Sequence, residues 1–145
     1  MQSDTAMAML FKGHCSCQTI ELKLRLPHPL KCYAPRACDC DFCTTKGINW
    51  LSDPKGSLEI HCTKAPKMVR QGSQQADFIS CAQCAEVVAV ILDKGDAKLG
   101  AVNSTMLDNG QDCKEPQTAS PQKLSAEDKA RRWSKIWMPV TLDLL

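Results

Sequence analysis

The grouping of its cysteines constrains this chain more than any other feature. Ten cysteines occur in 145 residues, and seven of them fall into three short clusters. The clusters read CSC at 15–17, CDCDFC at 38–43 and CAQC at 81–84. Thiolates spaced one to three residues apart reach neighbouring corners of one metal tetrahedron. We therefore expect the fold to be organised around loops that bind metal.

Two of the clusters supply a pair of cysteines each, and together they make a set of four. The set consists of Cys15, Cys17, Cys81 and Cys84. Four protein thiolates close the coordination of a structural zinc ion. Both pairs precede segments that we predict to be strands, so one zinc ion would join two distant parts of a sheet.

The third cluster supplies three cysteines, Cys38, Cys40 and Cys43. Three protein ligands leave the fourth position of zinc open for water or substrate, which is typical of a catalytic site. An extra ligand such as Cys32, Cys62, His61 or an acid could instead close it. Thiolates favour zinc over magnesium or calcium, and iron is the alternative metal.

The remaining cysteines and one histidine have simpler interpretations. Cys32 lies close to the trio and is the best candidate for an extra ligand. Cys62 falls on the apolar phase of a strand, so we expect a small core side chain. Cys113 lies in a polar loop as a surface thiol. His14 is interpreted as a loop residue, because the four-cysteine set is already complete.

The hydrophobic pattern predicts a mainly β fold with long metal-binding loops and a short C-terminal helix. Alternation in QTIELKLRL marks a half-buried strand, whereas the continuous VVAVIL run marks a strand buried on both faces. The predicted strands cover 18–26, 48–51, 58–62, 87–92 and about 99–107. Residues 1–12 are predicted to be a loosely ordered lead, and residues 108–123 a surface loop. A helix is expected from Ala126 to about Trp137, with Ser125 as its N-cap and a packing face at Trp133 and Trp137.

Charge and hydropathy exclude several partners. The chain carries 18 basic and 16 acidic side chains, a net charge of +2, so we expect no nucleic-acid partner. No stretch approaches the roughly 18–20 apolar residues of a membrane helix, and the N-terminus lacks the layout of a secretory signal. We therefore expect a cytoplasmic protein, in which clustered cysteines indicate metal binding or catalysis rather than disulfides.

The clusters, in this order, resemble the family of glutathione-dependent formaldehyde-activating enzymes (GFA), which includes centromere protein V. The resemblance rests on GHCSC at 13–17, CDCDFC at 38–43 with Gly47, Phe78 with CAQC at 81–84, and AVN to LD over 101–108. It spans about residues 12–108. The family usually has glycine directly after each cysteine pair, whereas this chain has Gln18 and Ala85.

The resemblance implies a zinc-stapled β-tent fold in a single domain, 1–145, with a core of about 12–108 and a C-terminal extension, 109–145. It implies two zinc ions per chain: a structural one on the four-cysteine set and a catalytic one on the trio. The implied activity is that of a carbon–sulfur lyase, which condenses glutathione with formaldehyde to S-hydroxymethylglutathione. The implied partner is a small-molecule thiol or thiol adduct.

Two other functions are compatible with the same cysteines. One is a non-catalytic zinc-binding module for a protein partner, in which a fourth protein ligand closes the trio. The other is a thiol-based redox or metal sensor, in which oxidation of the trio releases zinc.

Overall fold

The computed structural model of the protein describes residues 9–38, 47–70, 76–95, 97–119 and 125–144. This part of the chain is mainly β, which confirms the predicted fold class. It contains one α-helix, α1 (Ala126–Ile136), and three short 3-10 helices, η1 (Leu30–Cys32), η2 (Ser104–Met106) and η3 (Gly110–Asp112). The strands are β1 (Met9–His14), β2 (Ile20–Leu26), β3 (Arg36–Cys38), β4 (Trp50–Leu51), β5 (Ser57–Cys62), β6 (Lys67–Arg70), β7 (Asp77–Ser80), β8 (Val87–Asp93), β9 (Lys98–Asn103), β10 (Gln117–Ala119) and β11 (Met138–Leu144).

These strands form one branched sheet. The main path runs β1-β2-β5-β11-β9-β4-β3-β10, and β8, β7 and β6 branch from it through the other edge of β9. The branch is possible because β9 uses its first half to pair with β11, at Leu99 and Gly100, and its second half to pair with β4, at Val102 and Asn103. The sheet therefore has two arms that meet at β9.

The strands β2 and β5, both predicted from alternating apolar residues, are antiparallel neighbours in the sheet. On β2 the residues Ile20, Leu22, Leu24 and Leu26 are buried and alternate with more exposed polar residues, as the sequence pattern indicates. Leu22 pairs with Ile60 of β5, and Ile20 pairs with Cys62. Cys62 is fully buried, so its prediction as a core side chain is confirmed. This apolar face forms much of the larger core cluster.

The apolar run of β8 is buried along both faces, as predicted. Val88 and Ile91 belong to the larger core cluster, while Val87, Val90 and Leu92 belong to a second cluster beneath α1. A strand between two apolar layers has no solvent-facing side, which explains why its sequence does not alternate.

The C-terminal helix begins and ends close to the predicted residues. The Ser125 hydroxyl accepts a hydrogen bond from the Asp128 amide at 3.1 Å, which is the N-cap that the sequence indicates. The rings of Trp133 and Trp137 stack with centroids 4.6 Å apart and contribute to the second core cluster. The packing face predicted for these tryptophans is confirmed. The helix is too short and too polar to cross a membrane, and so is every other helix in the described ranges.

Several elements differ from expectation. Residues 9–12 belong to β1, paired with β2, rather than to a loosely ordered lead, and residues 1–8 lie outside the described part. The region predicted as a surface loop contains η3 and β10, which pairs in parallel with β3. After the helix the chain continues as β11, which includes Pro139 and lies between β5 and β9. How the chain divides into domains stays a prediction.

Candidate metal centre

Two hairpin connections bring the two cysteine pairs together. Cys15 and Cys17 lie between β1 and β2, and Cys81 and Cys84 lie between β7 and β8. All four Sγ atoms lie within 4.8 Å of one another, with Cys15–Cys17 at 3.6 Å and Cys17–Cys81 at 3.2 Å. A tetrahedral zinc ion with Zn–S bonds of about 2.3 Å separates its sulfur ligands by about 3.8 Å. The group therefore fits a metal ion of this size and could hold one.

Each pair is held in its turn by a backbone hydrogen bond back to its first cysteine. The Gln18 amide donates to the Cys15 carbonyl at 3.0 Å, and the Ala85 amide donates to the Cys81 carbonyl at 2.9 Å. Gln18 and Ala85 adopt left-handed backbone, with φ of 64° and 62°. This conformation directs the chain from each cysteine turn into the following strand.

Hydrogen bonds to sulfur prepare the group for metal binding. The amides of Gln83 and Cys84 both donate to the Cys81 Sγ at 3.4 Å, and the Thr19 hydroxyl lies 3.2 Å from the Sγ atoms of Cys17 and Cys81. Burial raises the pKa of the Cys81 thiol, but these hydrogen bonds outweigh burial and lower the pKa to about 6. A thiolate is the form that binds metal, so Cys81 is ready to act as a ligand near neutral pH.

Glu86 joins the two cysteine loops and is the functional residue that sequence reasoning missed. Its Oε1 accepts a hydrogen bond from the Ser16 amide at 2.6 Å and lies 3.3 Å from the Cys84 Sγ. Burial raises the pKa of the Glu86 carboxyl, but the contacts with Ser16 and Cys84 and the nearby His14 together outweigh burial, so the pKa is lowered. Ser16 and Glu86 are 70 positions apart, and no local sequence signal marks their contact.

The trio falls largely outside the described residues. Cys38 ends β3, whereas Cys40 and Cys43 belong to residues 39–46, which the structure does not describe. The second metal group therefore stays a prediction.

The candidate extra ligands have other surroundings. Cys32 is exposed at the end of η1, and Cys62 is buried in the core. His61 lies on the outward face of β5, where its Nδ1 is 3.2 Å from Asp143 and its Nε2 is 3.4 Å from Glu59. Across the described ranges, no group of three or more ligand atoms other than the four-cysteine set meets the same distance limit.

His14 and Cys113 also lie apart from the sulfur group. The Nδ1 of His14 donates to the Cys15 carbonyl at 2.8 Å, and its Nε2 is 3.5 Å from Asp108. Cys113 is half-buried rather than a surface thiol, and this burial raises its pKa. Neither side chain belongs to the four-cysteine set.

Comparisons with known proteins identify the fold. No family model and no curated protein matches the chain. A crystal structure of a Rhodobacter sphaeroides protein is similar, with a TM-score of 0.56 and 23% sequence identity, covering 74% of this chain and 99% of that one. Likeness at this identity concerns the fold alone. Fold and site together define a mainly β protein with a four-cysteine group that could hold a metal ion.

Proposed function

We propose that this protein is a zinc enzyme of the carbon–sulfur lyase type that acts on the adduct of a small thiol and an aldehyde. One observation supports this proposal most. Gln18 and Ala85, the two positions where the glutathione-dependent formaldehyde-activating enzymes usually have glycine, both adopt the left-handed backbone that favours glycine. At both positions where this chain departs from the family pattern, its backbone is therefore one that glycine would suit.

In this proposal the four-cysteine set holds a structural zinc ion. Four protein thiolates leave no position for substrate, so its role is to join the β1–β2 and β7–β8 connections. Cys15 and Cys81 are buried, which shields the centre from solvent on one side. The contact from Ser16 to Glu86 supports the same junction from outside the sulfur group.

Cys38, Cys40 and Cys43 would hold the second zinc ion. When bound there, zinc supplies a Lewis acid that prefers a soft thiolate. Three thiolate ligands already carry more negative charge than the ion neutralises, so the site favours holding a substrate thiolate over activating water. In the synthetic direction the thiol sulfur adds to the aldehyde carbon, and the thiol proton ends on the former carbonyl oxygen. The lyase direction breaks the same carbon–sulfur bond.

The described residues fix both ends of the segment that carries the trio. At one end, the Cys38 backbone pairs with Ala119 of β10 in the parallel register. At the other end, Gly47 adopts a φ of 66° and Ile48 is buried in the second core cluster. A chain segment whose two ends are held in place loses less conformational entropy when it binds a ligand.

Metal content and turnover of one matched variant pair test the proposal. Purified protein is analysed by elemental mass spectrometry, and adduct formation from glutathione and formaldehyde is followed by NMR. We expect two zinc ions per chain and turnover in the wild type. The Cys40→Ser variant should keep about one zinc ion and the fold but lose turnover. The Cys32→Ser variant should keep both zinc ions and turnover.

Three results would contradict parts of the proposal. One zinc ion or none in folded wild-type protein excludes the two-site arrangement. Two zinc ions without turnover of any thiol adduct favour a non-catalytic module. Release of zinc by peroxide, again without turnover, favours a redox or metal sensor.

A further inference from the structure

Thr19 lies two residues after Cys17, and its side-chain hydroxyl reaches the sulfur group. The Oγ1 atom is 3.2 Å from the Sγ atoms of Cys17 and Cys81, and 3.8 Å from the Sγ of Cys15. One hydroxyl therefore contacts three of the four sulfurs. Cys17 belongs to the β1–β2 connection and Cys81 to the β7–β8 connection, so this hydroxyl contacts sulfurs of both cysteine pairs.

The main chain of Thr19 is held in place by the sheet. Its carbonyl accepts two hydrogen bonds from Thr63, the residue after β5, one from the amide at 2.9 Å and one from the hydroxyl at 3.2 Å. The next residue, Ile20, is buried and pairs with Cys62 of β5. A β-branched side chain on a fixed main chain has few rotamers available. The sheet thus determines where the Thr19 hydroxyl lies.

This hydroxyl differs from the main-chain donors to sulfur. The amides of Gln83 and Cys84 donate to the Sγ of Cys81, which belongs to their own connection. Those hydrogen bonds organise one cysteine pair. Thr19 comes from the other connection, and its single O–H proton has both Cys17 and Cys81 within reach. The hydroxyl is therefore suited to hold the two pairs against each other.

Four thiolates around one divalent ion carry more negative charge than the ion neutralises. Hydrogen bonds to the sulfurs spread this charge, and groups that contact the ligands commonly set the affinity for the metal. We propose that Thr19 is a positioning residue of the metal centre, whose hydroxyl raises the affinity of the four-cysteine set for a divalent ion. This inference rests on the part of the proposed function in which these cysteines hold zinc. It depends neither on the trio nor on turnover of a substrate.

Metal affinity of matched threonine variants tests the proposal. Zinc and cobalt binding are measured by competition with a chelator, in the Cys40→Ser protein so that the four-cysteine set gives the signal, and in the wild-type chain as a check. Thr19→Val keeps the shape of the side chain but removes the hydroxyl, so it should weaken binding about tenfold. Thr19→Ser restores the hydroxyl and should bind within about twofold of the parent protein.

Thr63→Val is the matched control. It makes the same change in atoms, but the Thr63 hydroxyl bonds to the Thr19 carbonyl rather than to sulfur, and the Thr63 amide keeps its own bond. We expect affinity within about twofold of the parent protein.

The absorption spectrum of the cobalt-loaded protein adds a measurement that a merely structural role would not change. Loss of a hydrogen bond to a thiolate raises the energy of the sulfur electrons. The sulfur-to-cobalt charge-transfer band should therefore shift to longer wavelength in Thr19→Val, and it should stay in place in Thr19→Ser and Thr63→Val.

The possible results separate Thr19 from the metal centre as a whole. Unchanged affinity and an unchanged band in Thr19→Val, in a parent protein that binds metal, would overturn the role of Thr19 and leave the centre intact. Equal weakening by Thr19→Val and Thr63→Val without a band shift would show two supports of the fold and also overturn it. A parent protein that binds no metal would overturn the four-cysteine centre itself. Thermal melting verifies folding, and the smaller Thr19→Ala, with the same expectations, replaces Thr19→Val if that variant does not fold.

Discussion

Gln18 and Ala85 follow the last cysteine of their respective pairs, and both adopt the left-handed backbone, with φ of 64° and 62°. The two residues lie in different hairpin connections, yet each ends a cysteine turn in the same way. Side chains with a Cβ oppose this conformation by roughly 1–2 kcal/mol per residue. The chain thus retains a turn geometry that suits glycine while carrying other residues in it.

Replacing either residue with glycine should therefore stabilise the protein. We expect Gln18→Gly and Ala85→Gly each to raise the free energy of unfolding by about 0.5–1 kcal/mol, since relief of the left-handed strain exceeds the extra entropy of glycine in the unfolded chain. Chemical denaturation of the metal-loaded protein measures the change. Ala82 lies in the same turn as Ala85 but has no positive φ. The Ala82→Gly variant should therefore lower the free energy of unfolding by about 0.5–1 kcal/mol. A loss at all three positions would contradict the strain argument.

The four-cysteine set should couple metal binding to folding. Cys81→Ser removes a buried ligand that two amides and Thr19 support, so we expect loss of one metal ion per chain and a melting temperature lower by more than about 10 °C. The control Cys32→Ser changes an exposed cysteine outside the set and should leave stability within about 0.5 kcal/mol. Metal analysis and thermal melting, each with and without a strong chelator, make the comparison. Unchanged melting of Cys81→Ser would contradict a structural metal.

The elements predicted from sequence were those whose signals are local. The alternation of β2, the apolar run of β8 and the Ser125 N-cap each lie within one short segment, and the structure confirms them. The sequence of β11 also alternates, with Met138 and Val140 buried, but we predicted no strand after the C-terminal helix. The pairing of β11 with β5 and β9 joins residues far apart in sequence, so no local pattern could predict it.

The four-cysteine set shows the same difference between local signals and long-range contacts. The short spacing within each pair identified Cys15 with Cys17, and Cys81 with Cys84, as metal ligands. This signal is local, because closely spaced thiolates can reach neighbouring positions around one metal ion. The surroundings of the sulfurs could not be predicted in this way. Glu86 meets Ser16 only after the two hairpins have packed together, and such contacts depend on the whole fold.

An ion pair on the outward face of the sheet should make stability depend on pH. The Arg25 guanidinium, hydrogen-bonded to Glu59, holds the pKa of that carboxyl below its usual value of 4.5, and His61 acts in the same direction. A lowered pKa in the folded state means that this stabilisation is present above the unfolded pKa. It is lost as pH falls through the folded pKa.

Glu59→Gln should remove this contribution. Because Glu59 is partly exposed, we expect a loss of only about 0.2–1 kcal/mol in the free energy of unfolding at pH 7. The difference from wild type should shrink as the pH falls below about 4.5. Denaturation curves at several pH values test this, with Glu115→Gln as a control, since that exposed side chain forms none of the ion pairs in the described residues. A pH-independent difference would contradict the assignment to this ion pair.

Gly100 marks the point where the two arms of the sheet meet, and it should not tolerate a side chain. A Cβ added there would lie 2.2 Å from the Val90 carbonyl oxygen and 2.9 Å from the Cγ2 of Val140 on β11. Because backbone cannot move away as a flexible side chain can, we expect Gly100→Ala to lower the free energy of unfolding by about 3 kcal/mol or more. Denaturant titration measures this loss.

Two further variants identify its cause. At Gly47 an added Cβ meets nothing within 4 Å, and only the φ of 66° opposes it. The Gly47→Ala variant should therefore lower the free energy of unfolding by only about 1 kcal/mol. Adding Val140→Ala to Gly100→Ala removes the contact with Cγ2 but leaves the contact with the Val90 carbonyl, so stability should not recover. Full recovery in the double variant would show that β11, rather than the β8 backbone, sets the requirement for glycine at this junction.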